Sequence, residues 1–235
     1  MKLAICAGPA TTGKTSVLRH IISQLLTAGH RPAFLKIDVQ FAEEDELLAA
    51  EFGIPTRKVY SGELCPDHCN VMVLGDALKW AVNSDCDALL VETAGLCLRC
   101  SPYVEDSLGM VVLEATSGMN LPLKVGPMLS LADLAVVTKI DRVSQAEREV
   151  FRARILDVAP QVGIREVNAL YGIGIEPLTE QLLASPDVAL DETLLLRGNP
   201  PVGTCTICVG KREIGWQSHF GVVRPLENQT FYRGE

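Results

Sequence analysis

Gly8-Pro9-Ala10-Thr11-Thr12-Gly13-Lys14-Thr15 spells G-x-x-x-x-G-K-[ST] between a short apolar run and a helical pattern. Backbone N–H groups of such a loop, with the positive end of the helix that follows, suit the oxygens of a phosphate chain. Gly8, Thr11, Thr12, Gly13, Lys14, Thr15 and Ser16 are therefore the expected nucleotide contacts. Lys14 would reach the β- and γ-phosphates, and Thr15 would offer its hydroxyl to Mg²⁺. The plainer alternative is a chance glycine-rich turn. A position between a predicted strand and a predicted helix favours the phosphate loop.

Thr138-Lys139-Ile140-Asp141 follows the apolar run Leu134–Val137. A carboxylate only accepts hydrogen bonds, so Asp141 suits the N1–H and 2-amino group of guanine rather than the adenine edge. Thr138 and Lys139 accompany it, and Asn168-Ala169 is the expected loop behind the base. Asp38 and Glu92 each end a predicted strand. With Thr15 they are the expected Mg²⁺ set, with Lys14 the expected catalytic set, and Gly95 offers an amide near the γ-phosphate. No arginine finger is identifiable in the sequence. Slow intrinsic hydrolysis, accelerated by a partner or by dimerisation, is the expectation; fast turnover by dilute monomer would count against it.

Eight cysteines without an export signal should be thiols. Cys6 and Cys86 each stand beside apolar residues and read as small buried hydrophobes. Cys65-Pro66-Asp67-His68-Cys69 and Cys97-Leu98-Arg99-Cys100 are different, because thiolates and an imidazole at these spacings can grip one Ni²⁺ or Zn²⁺ ion or an iron–sulfur cluster. Both pairs follow strands on the nucleotide side. Cys205-Thr206-Ile207-Cys208 is ambiguous between half a metal site, a redox pair and a cluster shared across a dimer.

Short apolar runs alternate with helical patterns: Ala33–Val39, Lys58–Tyr60, Asp87–Glu92, Met110–Leu113 and Leu134–Val137 against Ser16–Ala28, Glu43–Phe52, Asn70–Asn83, Gln145–Val158 and Glu176–Leu183. This order predicts an α/β fold of the P-loop NTPase kind, a mainly parallel sheet with helices on both faces, and ligands beyond the carboxyl ends of the strands. The expected division is a P-loop GTPase domain over 1–195 and a short Cys-containing C-terminal extension over 196–235. Arg197-Gly198-Asn199-Pro200-Pro201 reads as a linker between them. A net charge of −8 without a basic stripe argues against nucleic acid as a partner. The opening apolar residues are too few for a signal peptide or a membrane span, so a cytoplasmic protein is expected.

These residues resemble the metallochaperone P-loop GTPases of the HypB, UreG and CobW type, most of all the hydrogenase nickel-incorporation member. Met110–Glu114, Leu121–Met128 and Ala132–Asp141 carry the likeness, with Glu92-Thr93-Ala94-Gly95 and Ile37-Asp38-Val39-Gln40. The resemblance covers roughly the first 185 residues. It implies a GTP-dependent homodimer that delivers nickel to a client metalloenzyme or works with an accessory maturation protein. The family's adjacent Cys-His pair is matched by the non-adjacent Cys65, His68 and Cys69, and its later cysteine by the pair Cys97 and Cys100. Two alternatives stay open: a nucleotide-dependent iron–sulfur cluster carrier or electron-transfer protein, and a GTP-binding regulator with structural zinc.

Overall fold

Leu3–Ala7, Ala88–Glu92 and Leu134–Thr138 bury every side chain, as strands covered on both faces must. All three are interior strands of a seven-stranded sheet. The computed structural model describes residues 1–39, 41–61, 65–94, 100–190, 194–199 and 211–215. In chain order the elements are β1 (Lys2–Ala7), α1 (Lys14–Thr27), β2 (Pro32–Asp38), α2 (Glu44–Phe52), β3 (Thr56–Tyr60), α3 (Pro66–Asn83), β4 (Ala88–Glu92) and β5 (Leu108–Glu114). They continue with α4 (Leu121–Lys124), α5 (Gly126–Leu131), β6 (Leu134–Thr138), α6 (Gln145–Val158), β7 (Gly163–Glu166) and α7 (Glu176–Ala184).

The strand order is β3-β2-β4-β1-β5-β6-β7, and every ladder is parallel. The α/β class expected from the alternating pattern is the observed one. Side chains of a strand alternate between faces, so β1 sends Leu3, Ile5 and Ala7 into one core and Ala4 and Cys6 into the other. The first core packs α3, α5 and α6; the second packs α1, α2 and α7. Strand order reverses beside β1, where the chain after β1 crosses to β2 and β5 lies on the opposite side. That reversal opens a crevice at the carboxyl ends of the strands.

Local signals set the helix ends. Ser144 and Glu147 form a reciprocal capping box at the start of α6, and Gly53, at φ 66°, stops α2 in the left-handed conformation. Helix α3 begins at Pro66 and not at Asn70, because a proline fits the first helical position without losing a hydrogen bond. The Cys65–Cys69 segment is thereby wound into a helical turn. Among the described residues, no helix is long and apolar enough to cross a membrane.

The described residues of the expected C-terminal extension pack on the sheet domain. Leu195 bridges to Glu213 and Leu196 to Val104, while Ile214 lies against the first core and the Gly215 N–H donates to Val71 O. Arg197, read from composition as the start of a linker, is instead fixed. Its Nε donates to Val104 O at 3.0 Å, one terminal nitrogen donates to Leu131 O at 3.1 Å, and the other donates to Ser107 O and sits 2.8 Å from Asp133. Tyr103 lies under the guanidinium, against the Cβ-less face of Gly109. Composition could not announce this anchor, since its acceptors are carbonyls of two segments far from it in sequence, one holding Val104 and Ser107 and the other Leu131. Arg197→Met should destabilise the protein by about 3 kcal/mol, read as a lower denaturant midpoint, because it leaves the part-buried carbonyls of Val104, Ser107 and Leu131 without this donor.

Candidate functional site

The loop after β1 is bent by residues that tolerate unusual backbone. Gly8 has φ +135°, and a Cβ there would lie 2.3 Å from Val112 O of β5. Thr11 takes φ 63°, and Gly13 caps α1 at φ 93°. The first turn of α1 holds no acidic residue, so its positive end is left for an anion. Thr12 is buried and donates to Pro9 O at 2.9 Å. The Lys14 ammonium donates to Pro9 O at 2.9 Å and Gly8 O at 3.2 Å. Burial lowers its pKa from the usual lysine range, with Glu92 pulling the other way.

Two distant segments close on this loop from the β6 side. Thr138 Oγ1 donates to Thr12 O at 2.6 Å, and Lys139, itself at φ 55°, donates to Thr11 O at 3.1 Å and pairs with Glu114. Burial opposes ionisation of Glu114, but hydrogen bonds from Lys139 and Ser117 hold its carboxyl below the usual range. Asp141 is exposed in the turn Ile140–Arg142 that follows. Asn168 Oδ1 accepts from the Leu170 and Tyr171 N–H groups, folding the loop after β7 back on itself, and His20 Nε2 lies 3.1 Å from Ala169 O. Gly13 is the meeting point: a Cβ built there would fall 3.8 Å from Thr138 Cγ2 and 3.9 Å from Ala169 Cβ.

The phosphate side is a cavity of about 410 Å³ lined by Ala10, Thr11, Gly13, Lys14, Thr15, Ser16, Lys36, Asp38, Glu44, Glu92, Thr93 and Ala94. Glu92 is buried, with one oxygen accepting from Thr15 Oγ1 at 2.8 Å and the other 2.7 Å from the Lys36 ammonium. Lys36 also lies 3.4 Å from Asp38 and 3.3 Å from Glu44. Burial disfavours its charge, yet Glu92, Glu44 and Asp38 outweigh that and raise its pKa well above the usual lysine range. The Thr93 hydroxyl is fully buried and has no hydrogen-bond partner among the described residues. A threonine hydroxyl beside two carboxylates is a hard oxygen set of the kind Mg²⁺ takes, so these residues fit that ion.

Lys36, Glu44 and Thr93 were not expected from the sequence. A signal for Lys36 did exist: a lysine inside the apolar run Ala33-Phe34-Leu35-Lys36-Ile37 must be paired to be buried.

The cysteine segments lie at the same end of the sheet. Cys65 caps α3 and Cys69 sits one helical turn on, with its N–H bonded to Cys65 O, so the two share a helix face. His68, Cys69 and Cys100 are buried. Burial pushes the Cys69 thiol up to about 12, so at neutral pH it is protonated and a metal must displace that proton. Asn70 Nδ2 donates to Pro102 O at 3.3 Å, which ties the start of α3 to the chain just after Cys100. Among the described residues, no three His, Cys, Asp or Glu side chains form a metal-holding group. Gly95, Cys97, Cys205 and Cys208 lie outside the described residues. Cys6 and Cys86 are buried in the cores, as lone apolar cysteines should be.

A parallel sheet with a phosphate loop between β1 and α1, and with two further loops closing on that loop, defines a P-loop nucleotide-binding protein. Residues 2–165 match the CobW/HypB/UreG nucleotide-binding domain, and the chain belongs to that family. It is 43% identical over its whole length to an uncharacterized protein of Methanocaldococcus jannaschii, which it also covers completely. It is 28% identical to a urease accessory protein UreG of Streptomyces griseus, over 73% of this chain and 81% of that one. In fold it is similar to HypB from Helicobacter pylori, solved in complex with nickel, with a TM-score of 0.64, 18% identity, and coverage of 78% of this chain and 86% of that one.

Gly8→Ala should lower nucleotide affinity about 100-fold, because the new methyl group would press the loop off Val112 and scatter its N–H groups. Isothermal titration with GTP checks this, and affinity within threefold of the parent would contradict the geometry.

Proposed function

We propose that this protein is a GTP-binding and GTP-hydrolysing metallochaperone that assists assembly of a metallocentre, with nickel as cargo, in a client enzyme. One observation carries the nucleotide half of this reading: the phosphate loop, the Thr138–Asp141 turn and the Asn168–Ala169 loop converge on Gly13, although the chain separates them widely. Lys14 and the N–H groups of the loop would hold the phosphates. Asp141 would accept from the guanine edge, with Asn168 and Ala169 backing it. Thr15, Glu92 and Asp38 would hold Mg²⁺, which would supply charge neutralisation of the phosphates when bound.

The metal half rests on family membership and on where the thiols stand. Cys65, His68 and Cys69 follow the end of β3, and Cys100 follows the end of β4, the strand that carries Glu92. Cys97 follows Glu92 closely in sequence, so a change at the γ-phosphate would bear on this segment. A homodimer meeting near the cysteines, a cytoplasmic location and a maturation partner complete the reading.

Asp141→Asn should weaken GTP about 10- to 100-fold through the lost acceptor, while xanthine nucleotide, whose base edge accepts where guanine donates, gains affinity. GTP affinity equal to the parent would remove Asp141 from base recognition. For the cargo, anaerobically prepared protein should bind Ni²⁺ or Zn²⁺ with an affinity that changes when GTP is added, and Cys69→Ser should erase that difference. Copurifying iron and sulfide with a visible charge-transfer band would instead favour the cluster-carrying alternative.

A further inference from the structure

Lys36 is placed where no phosphate-loop pattern calls for a lysine. It lies in β2 directly beside Glu92 of β4, with its side chain only 4% exposed, and its ammonium meets three carboxylates: Glu92 at 2.7 Å, Glu44 at 3.3 Å and Asp38 at 3.4 Å. All four side chains line the cavity that also holds Lys14 and Thr15. Counting these five ionisable groups, two lysines face three carboxylates, and the cavity carries a formal charge of −1. Without Lys36 that charge would be −2, which is a poor receptacle for a triphosphate.

We propose that Lys36 is a built-in counter-cation of the phosphate site, a positioning residue that holds Glu92 against Thr15 and admits the anionic nucleotide before a divalent ion has arrived. Two features beyond the acidic cluster point toward a ligand. Glu92 is fixed at both oxygens, one by Thr15 and one by Lys36, so removing the ammonium releases a buried carboxylate into the cavity. Beside it the Thr93 hydroxyl lines the same cavity, is fully buried and has no hydrogen-bond partner among the described residues. Glu44 opens α2, so the same ammonium also fastens that helix to the phosphate side.

The proposal rests on the reading of this cavity as a Mg²⁺–nucleotide site, and its test separates the two. GTP affinity is measured with excess EDTA and with saturating Mg²⁺, on the full chain, for the parent, Lys36→Met, Lys36→Arg and Glu44→Gln. A counter-cation predicts that Lys36→Met loses about 10-fold or more in EDTA and clearly less in Mg²⁺, because the ion replaces the missing charge. Lys36→Arg should recover most of that loss. Glu44→Gln, a change at a partly exposed position, should act in the opposite direction and tighten binding in EDTA severalfold. Equal losses in both conditions for Lys36→Met, or no change in EDTA for Glu44→Gln, would overturn the role of Lys36 and leave the nucleotide site standing. If Lys36→Met does not fold, the sign of the Glu44→Gln effect decides alone. A parent protein that binds no GTP in Mg²⁺ would overturn the site itself.

Discussion

The carboxylate of Glu92 is the point on which the phosphate side turns. It is buried at the end of the central strand pair, and a buried carboxylate must be paired or lose its charge. Thr15 from the first turn of α1 and Lys36 from the neighbouring strand take one oxygen each. Through those two bonds the start of α1, the end of β4 and the middle of β2 share one electrostatic unit. Lys36 then extends it to Asp38 and Glu44, so the three segments expected to meet Mg²⁺ and the γ-phosphate are tied together by charge as well as by the sheet.

The opposite wall of the site is built from side-chain hydrogen bonds to backbone carbonyls. Thr138 and Lys139 reach across from β6 to the carbonyls of Thr12 and Thr11, holding the loop that must present its N–H groups elsewhere. A carbonyl engaged from behind leaves the amide on its far side free to point inward, which is how a strained loop with Thr11 at φ 63° and Gly8 against Val112 is kept in shape. The base side and the phosphate side thus use different physics. One is a backbone clamp and the other a buried charge network.

Cys65, Cys69 and Cys100 are not among the residues that line the cavity, yet the turn that carries Cys65 and Cys69 is the first turn of a helix packed on the same sheet. Asn70 links it to Pro102, and the C-terminal residues Ile214 and Gly215 rest on α3 farther along. Helix α3 is therefore in contact with the segment of Cys100 and with the described end of the tail. That placement is a consequence of sheet order, since β3 and β4 flank β2 at one edge and deliver their loops to the same side.

Much of this was written in the sequence. The phosphate loop, the apolar strands and the Thr138–Asp141 turn are local patterns, set by backbone amides, burial on both faces and strand ends, and the fold class they imply is the one observed. The Gln145–Val158 helix was legible from its helical pattern, and the Ser144–Glu147 box is the local device that fixes its start. What the sequence did not disclose were features made of residues far apart. Lys36 gains its meaning above all from Glu92, which reaches it from another strand; Arg197 gains its own from carbonyls far from it in sequence. The first four residues of α3 looked like loop because Pro66 reads as a breaker until a buried helix face follows it. Periodicity and motif spacing report what neighbours along the chain do. Which buried charge meets which, and which carbonyl needs a donor, is decided when the parallel strands set their order.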